Sequence, residues 1–234
     1  MSAAPTSLRF EPWFEDVLAR AHLRPGARVL LLSALSPAQC RAVLAAIGAG
    51  GTLTVIEPDR YRAAALDGLA HEGLSVLAYQ PDGSEVFGVH DALIACPPVL
   101  RGWPMNRFGE LAVRNLRPGG RLSVDLPGER HCEVVSECWA AIQAPPELLA
   151  PWRGPNELAL AKLLRADGLR EVEPHVSTHL VRFDNPHELA HRVGDLLGAG
   201  EELVARLQLA LTSRLGSHDA VELLFRRTRV SAMR

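Results

Sequence analysis

Short apolar runs recur along this chain, each followed by a segment of helical periodicity and a tight turn, and that alternation restricts the folds open to it. The run from Arg28 to Ser33 precedes "SPAQCRAVLAAIGAG", in which Ser36 is placed to cap a helix, Pro37 suits its first turn and Gly48, Gly50 and Gly51 end it. "TLTVIEP" then leads into "DRYRAAALDGLAHEG", and "LSVLAYQ", "HDALIAC" and "RLSVDLP" give the third, fourth and fifth strands. "PWFEDVLARAH" is helical in pattern, and "MNRFGELAVRNLRPGG" precedes the fifth strand. Strands that read as nearly continuous apolar runs, rather than alternating ones, belong to a sheet buried on both faces. The expectation is an α/β, doubly wound, mostly parallel sheet.

The last third breaks the rhythm. "NELALAKLLRADGLREVEPHVSTHLVRF" supplies a helix and a sixth strand, and "AVELLFRRTRVSA" a seventh at the end. Between them, 184–199 and 201–215 are helical, so a helical insertion over 184–216 is predicted before the last strand of a single domain, 1–234.

Composition narrows function by exclusion. The net charge is −2, and the basic side chains, arginine everywhere except Lys162, are scattered apart from the short run Arg226-Arg227-Thr228-Arg229. This argues against a nucleic-acid-binding surface. The cysteines Cys40, Cys96, Cys132 and Cys138 have no metal-ligand or paired spacing, which suits a reduced cytoplasmic setting. No uncharged apolar run of about 18 residues is present, so no membrane partner is expected.

The order of elements resembles the class I S-adenosylmethionine-dependent methyltransferases, particularly small-molecule enzymes of the quinone-biosynthesis type. "LRPGARVLLL", "VIEPD", "HDALIACPPVL", "LAVRNLRPGGRLSVDLP" and "LLRADGLREVEPHVSTHLVRFDNPHELAHRV" are similar to successive pieces of that family, in order and over most of the chain. The resemblance implies a cofactor lying across the ends of the first two strands. It places Ser33, Ala34, Leu35 and Ser36 in the family's glycine-rich loop and Glu57 where a carboxylate accepts the ribose hydroxyls. Gln80 or Asp82 falls near the adenine amino group, although "QPDG" is also a turn sequence, and Glu57 also reads as a loop residue before Pro58. Cys96-Pro97-Pro98-Val99 resembles the Pro-Pro motif of amino-group methyltransferases but lacks its flanking polar and aromatic residues; it also reads as a rigid loop.

None of the loop's glycines is present, and Leu31 replaces the acid before them. A side chain at Leu35 would meet the cofactor, and a left-handed backbone there would add about 1–2 kcal/mol. The resemblance thus implies a methyltransferase fold that has lost the usual S-adenosylmethionine binding and acts as a pseudoenzyme, a partner or a regulatory subunit. In that reading a protein partner or a homo-oligomer forms through the helices of 184–216 or an exposed sheet edge. The alternative is an active S-adenosylmethionine-dependent methyltransferase with a small-molecule substrate. Asp125, His175 and His179 are then the candidate catalytic residues. Trp103, Trp139 and Trp152 read either as pocket lining or as core.

One motif points elsewhere. His187-Glu188-x-x-His191, followed by Gly194, has the spacing of a zinc peptidase helix. Catalytic zinc takes three protein ligands, and the position for the third is Leu197. Asn185 and Pro186 read as a helix start, which makes Glu188 the acid of a capping box reaching back to the cap amide. At ~100° per residue, Leu189, Val193, Leu196 and Leu197 share one face and the two histidines lie near the opposite one. His187 and His191 are therefore candidate metal ligands that the rest of the chain does not complete, and no metal is expected.

Overall fold

A computed structural model describes residues 14–34, 36–96, 105–149, 152, 156–216 and 220–234. Within them, seven strands, β1 (Arg28–Leu32), β2 (Thr52–Ile56), β3 (Leu74–Leu77), β4 (His90–Ala95), β5 (Leu116–Pro127), β6 (Arg170–Phe183) and β7 (Val221–Met233), form one sheet in the order β3-β2-β1-β4-β5-β7-β6. The strands β3, β2, β1, β4 and β5 run parallel, and β7 is antiparallel to both β5 and β6. The described helices are α1 (Phe14–Arg20), α2 (Pro37–Ile47), α3 (Arg60–Asp67), α4 (Phe108–Asn115), α5 (Glu133–Ala141), α6 (Glu157–Ala166), α7 (Pro186–Leu197) and α8 (Glu201–Leu215).

The apolar strands acquire cover on both faces, as their composition requires. One face packs Leu30, Leu93, Leu122 and Val124 against Phe108, Leu111 and Ala112 of α4, together with Leu160 and Leu164 of α6. The other packs Val29, Leu31, Val55 and Ile94 against α1, α2 and α3 through Val17, Val43, Ile47 and Leu66. A third core gathers α5, α7 and α8 around Trp139, Trp152, Phe183 and Phe225. It sits where β6 and β7 continue past the end of β5, since Pro127 pairs with Arg227 while the β6–β7 ladder runs on to Phe183 and Val221.

Three local features differ from the sequence expectation. β5 starts at Leu116 and includes the Arg-Pro-Gly-Gly turn as an irregular stretch, with a register shift between His90 and Ala92 of β4; Gly119 takes φ +76° there. α5 lies in a segment given no element from sequence, and its cap, Cys132, adopts φ +44° without a side-chain cap bond. Ser36 is the α2 cap residue by position, but its side chain makes no cap hydrogen bond, so Pro37 at the first turn marks the helix start. No described helix is long and apolar enough to cross a membrane.

Candidate functional site: the carboxyl ends of β1, β2 and β4

In an open parallel sheet the ligand crevice lies outside the carboxyl ends of the strands, where neighbouring connections diverge to opposite faces. Here that point is between β1 and β4, adjacent in the sheet but separated in sequence by β2 and β3. The residues that follow β1 and β2 therefore define the site.

Ser33, immediately after β1, keeps the ladder going by donating its amide to Ile56 O at 2.8 Å, and then turns with φ +59°. A left-handed backbone costs a non-glycine residue about 1–2 kcal/mol. Its side chain is buried, and Oγ donates to Glu57 Oε2 at 2.9 Å. Glu57, after β2, has 0% exposure. Its Oε1 accepts the Asp59 amide at 3.0 Å and faces the Arg62 guanidinium, with Nε at 3.3 Å and Nη2 at 3.2 Å. Asp59 itself caps α3 through the amides of Tyr61 and Arg62, which orients the arginine toward Glu57. Ala34 is buried and Leu35 lies outside the described residues; among the described residues of this loop the positive φ is at Ser33.

Gln80 and Asp82 occupy an exposed loop after β3. Asp82 accepts the Ser84 amide at 2.8 Å, forming a tight Asx turn, and contacts with Ser84 hold its carboxyl below the usual range. Glu85 organises this loop, accepting the Asp82 amide at 2.6 Å, the Gly83 amide at 2.9 Å and the Tyr79 hydroxyl at 3.0 Å. The turn reading of "QPDG" thus describes its geometry. Cys96 is buried at the end of β4, while Pro97, Pro98, Val99 and Trp103 lie outside the described residues.

Asp125 is 1% exposed and tied to Arg227, with Nη2 at 2.5 Å from Oδ2 and Nε at 3.3 Å from Oδ1. Arg229 Nε lies 3.5 Å from Oδ1 as an ion pair without hydrogen-bond geometry, and Arg229 Nη1 donates to Asp16 Oδ2 at 2.7 Å. His179 Nε2 stands 3.1 Å from Arg229 Nη2 and 2.8 Å from Ser177 Oγ. Burial and then the Arg229 charge push the His179 ring below its ordinary range. His175 is exposed on the same strand, opposite Arg229 in register. Structure thus joins Asp125 and His179 through Arg229 and leaves His175 outside. It also buries Arg227 and Arg229 of the short basic run. The signal was available: two residues apart in a strand, they share one face, and Asp125 pairs with Arg229 in register.

Each part of the zinc-like motif has a structural partner. His187 Nδ1 donates to Gln208 Oε1 at 2.8 Å, and its ring meets His191 edge-on with centroids 4.3 Å apart. Glu188 donates its amide to Asn185 Oδ1 at 2.9 Å and accepts the Asp184 amide at 2.7 Å, so its carboxylate reaches one residue beyond the cap amide expected from sequence. It also pairs with Arg192 one turn on. A Cβ on Gly194 would overlap Val204, so the glycine lets α7 and α8 approach closely. Among the described residues no group of three or more His, Cys, Asp and Glu side chains is arranged to hold a metal ion.

Trp139 and Trp152 are both core residues, Trp139 donating to Pro145 O at 3.2 Å. His131 was not singled out by sequence. It is buried edge-on against Trp152 and Phe225, donates Nδ1–H to Arg226 O at 2.6 Å, and has its pKa pushed down to about 3 by burial and the Arg227 charge.

Comparison with solved structures decides the fold family. A putative methyltransferase from Bacillus halodurans superposes with TM-score 0.60 at 13% identity, covering 94% of this chain and 97% of its own. The chain has the class I S-adenosylmethionine-dependent methyltransferase fold. Phosphoethanolamine N-methyltransferase 2 of Haemonchus contortus, in complex with S-adenosyl-L-methionine, shares this fold at TM-score 0.58 and 12% identity over 94% of this chain and 52% of that one. A complex between the Haloferax volcanii Trm112 methyltransferase activator and a putative methyltransferase matches at TM-score 0.56 and 15% identity over 94% and 89%. No protein-family model matches the sequence. No curated protein matches it either. Within the methyltransferase fold, Ser33 and Glu57 occupy the ends of the first two strands, the positions that the resemblance assigns to the cofactor loop and the ribose carboxylate.

Proposed function

We propose that this chain is a methyltransferase-fold protein that has lost the usual mode of S-adenosylmethionine binding and acts as a partner or regulatory subunit. The observation that carries this reading is the state of Glu57. A carboxylate offers about four lone-pair sites. Ser33 Oγ takes one on Oε2, while the Asp59 amide and Arg62 crowd Oε1, and none of the side chain reaches solvent. A ribose would have to displace Ser33 and Arg62 to gain both oxygens. The residues present therefore do not fit the cofactor in the way the family's loop and carboxylate do.

A protein partner is supported by apolar exposure along one edge of the sheet. Leu77 and Tyr79, with Val86 in the loop after β3, present exposed side chains beside the edge strand β3, which is four residues long. The expectation of a single domain over 1–234, with the helices of 184–216 available to a partner, belongs to the same proposal.

The competing reading, an active small-molecule methyltransferase, is favoured by the placement of Glu57 itself beside the switch point. Purification of the tagged chain from its native extract separates the two. A stoichiometric companion that persists through size exclusion supports the partner reading. A chain that elutes alone and consumes S-adenosylmethionine with a small acceptor overturns it.

A further inference from the structure

The amino-terminal edge of the sheet lies at the other end of the strands from Ser33 and Glu57, and it carries a cavity of about 510 Å³. This is within the range of ~300–1,000 Å³ typical of small-ligand sites. Three arginines reach it from two parts of the chain: Arg24 from the turn between α1 and β1, and Arg117 and Arg121 from β5. Asp91 is the single acid in its lining.

The charges do not cancel there. Asp91 is already engaged, accepting the Arg28 amide at 2.7 Å on Oδ2 and pairing with Arg117 Nε at 2.5 Å on Oδ1. Arg121 pairs with Glu171 at 3.0 Å. The Arg24 side chain is exposed and has no hydrogen-bond or ion-pair partner among the described residues. Counting Arg24, Arg117 and Arg121 against Asp91 and Glu171 leaves one positive charge uncompensated, on a chain whose net charge is −2. Gly26 and Gly119 complete the rim with positive φ and open space where a Cβ would stand, so no side chain from either narrows the entrance.

We propose that this crevice binds a small phosphate-bearing molecule. Guanidinium groups present planar forks of donors that match phosphate oxygens two at a time, and as permanent charges they suit an anion across the whole physiological pH range. Three guanidiniums here face two carboxylates, each already paired, whereas a phosphate group brings three terminal oxygens and close to two negative charges. Arg24 supplies the free fork. Arg117 and Arg121 supply further donors beyond those engaged by their carboxylate partners. The site is separate from the carboxyl-end cleft, so its occupancy is independent of whether that cleft takes a cofactor.

The test is calorimetric titration of the full chain at about 50 mM salt with inorganic pyrophosphate, and in parallel with citrate. The expected result is saturable pyrophosphate binding with a dissociation constant below about 1 mM, weakened at least tenfold in Arg24→Ala and in Arg121→Ala. Arg206→Ala with Arg214→Ala, a change far along the chain on α8, is expected to leave it within twofold. The Arg24 side chain has no partner among the described residues, so its variant tests recognition without a folding defect, checked by an unchanged melting temperature. Absence of saturable binding, equal weakening in the α8 control, or citrate binding more tightly than pyrophosphate would each overturn the assignment.

Discussion

The left-handed turn at Ser33 makes a prediction that ordinary residue preferences reverse. Two substitutions, Ser33→Ala and Ser33→Gly, both delete the hydroxyl that donates to Glu57 at 2.9 Å. A hydrogen bond to a buried charged group contributes about 1.5–3 kcal/mol, and both variants lose it. Alanine keeps a Cβ at φ +59° and so keeps the strain of about 1–2 kcal/mol. Glycine relieves that strain and gives back about 0.5–1 kcal/mol in unfolded-chain entropy. The glycine variant is therefore expected to be more stable than the alanine variant by roughly 0.5–1 kcal/mol, although glycine is usually the worse residue. For a chain of this size 1 kcal/mol corresponds to about 2–4 °C in melting temperature. Scanning calorimetry should place wild type highest, glycine next, and alanine about 1–4 °C below glycine. An alanine variant as stable as the glycine variant would refute the left-handed geometry, and a wild-type melting temperature in both would refute the Ser33–Glu57 bond.

Acid should destabilise the fold through His131, whose pKa is pushed down to about 3 by burial and Arg227. Because this lies below the unfolded value of ~6.5, the unfolded chain binds the extra proton. The contribution is complete above pH ~6.5 and is lost as pH falls toward 3, with about 2 kcal/mol of it gone by pH 5. Urea unfolding of His131→Phe at pH 7 and pH 5 should show a smaller difference than wild type, and an equal difference would count against the buried neutral ring. Asp125→Ala leaves Arg227 and Arg229 buried without their shared carboxylate, a loss of about 3–5 kcal/mol that the urea midpoint should report; a loss under 1 kcal/mol would mean that the cluster is solvated. Gly194→Ala forces α7 away from Val204, at about 1–3 kcal/mol, whereas His187→Ala should leave the melting temperature within about 2 °C. The opposite ranking would return the motif to consideration as a ligand set.

The strands that position the site were legible because their apolar runs are continuous and their bounding turns carry proline and glycine. Arg28 to Leu32 and Thr52 to Ile56 match the expected runs closely, and α7 follows from its capping residues and amphipathic spacing. α5 was not legible because its start at Cys132 has neither a capping side chain nor a helical φ. The inward turn of Glu57 was hidden for a different reason. Its neighbours Ser33 and Arg62 meet it only after β1 and β2 pair and α3 folds back, and no local pattern encodes that meeting. The arginines on Asp125 follow from strand parity, yet only once the antiparallel pairing of β5 with β7 is known. Glu188 shows the converse, a residue whose role at the helix start was legible locally, although its carboxylate takes the Asp184 amide rather than that of Asn185 and also pairs with Arg192.

The measurement that bears most directly on the account is calorimetric titration of the purified chain with S-adenosylhomocysteine, alongside Glu57→Ala. With Glu57 held by Ser33, Asp59 and Arg62, no heat of binding is expected up to millimolar ligand, and the melting temperature should not move. Micromolar binding that Glu57→Ala abolishes would show that the carboxylate opens to the ribose, and would make the chain a cofactor-binding methyltransferase.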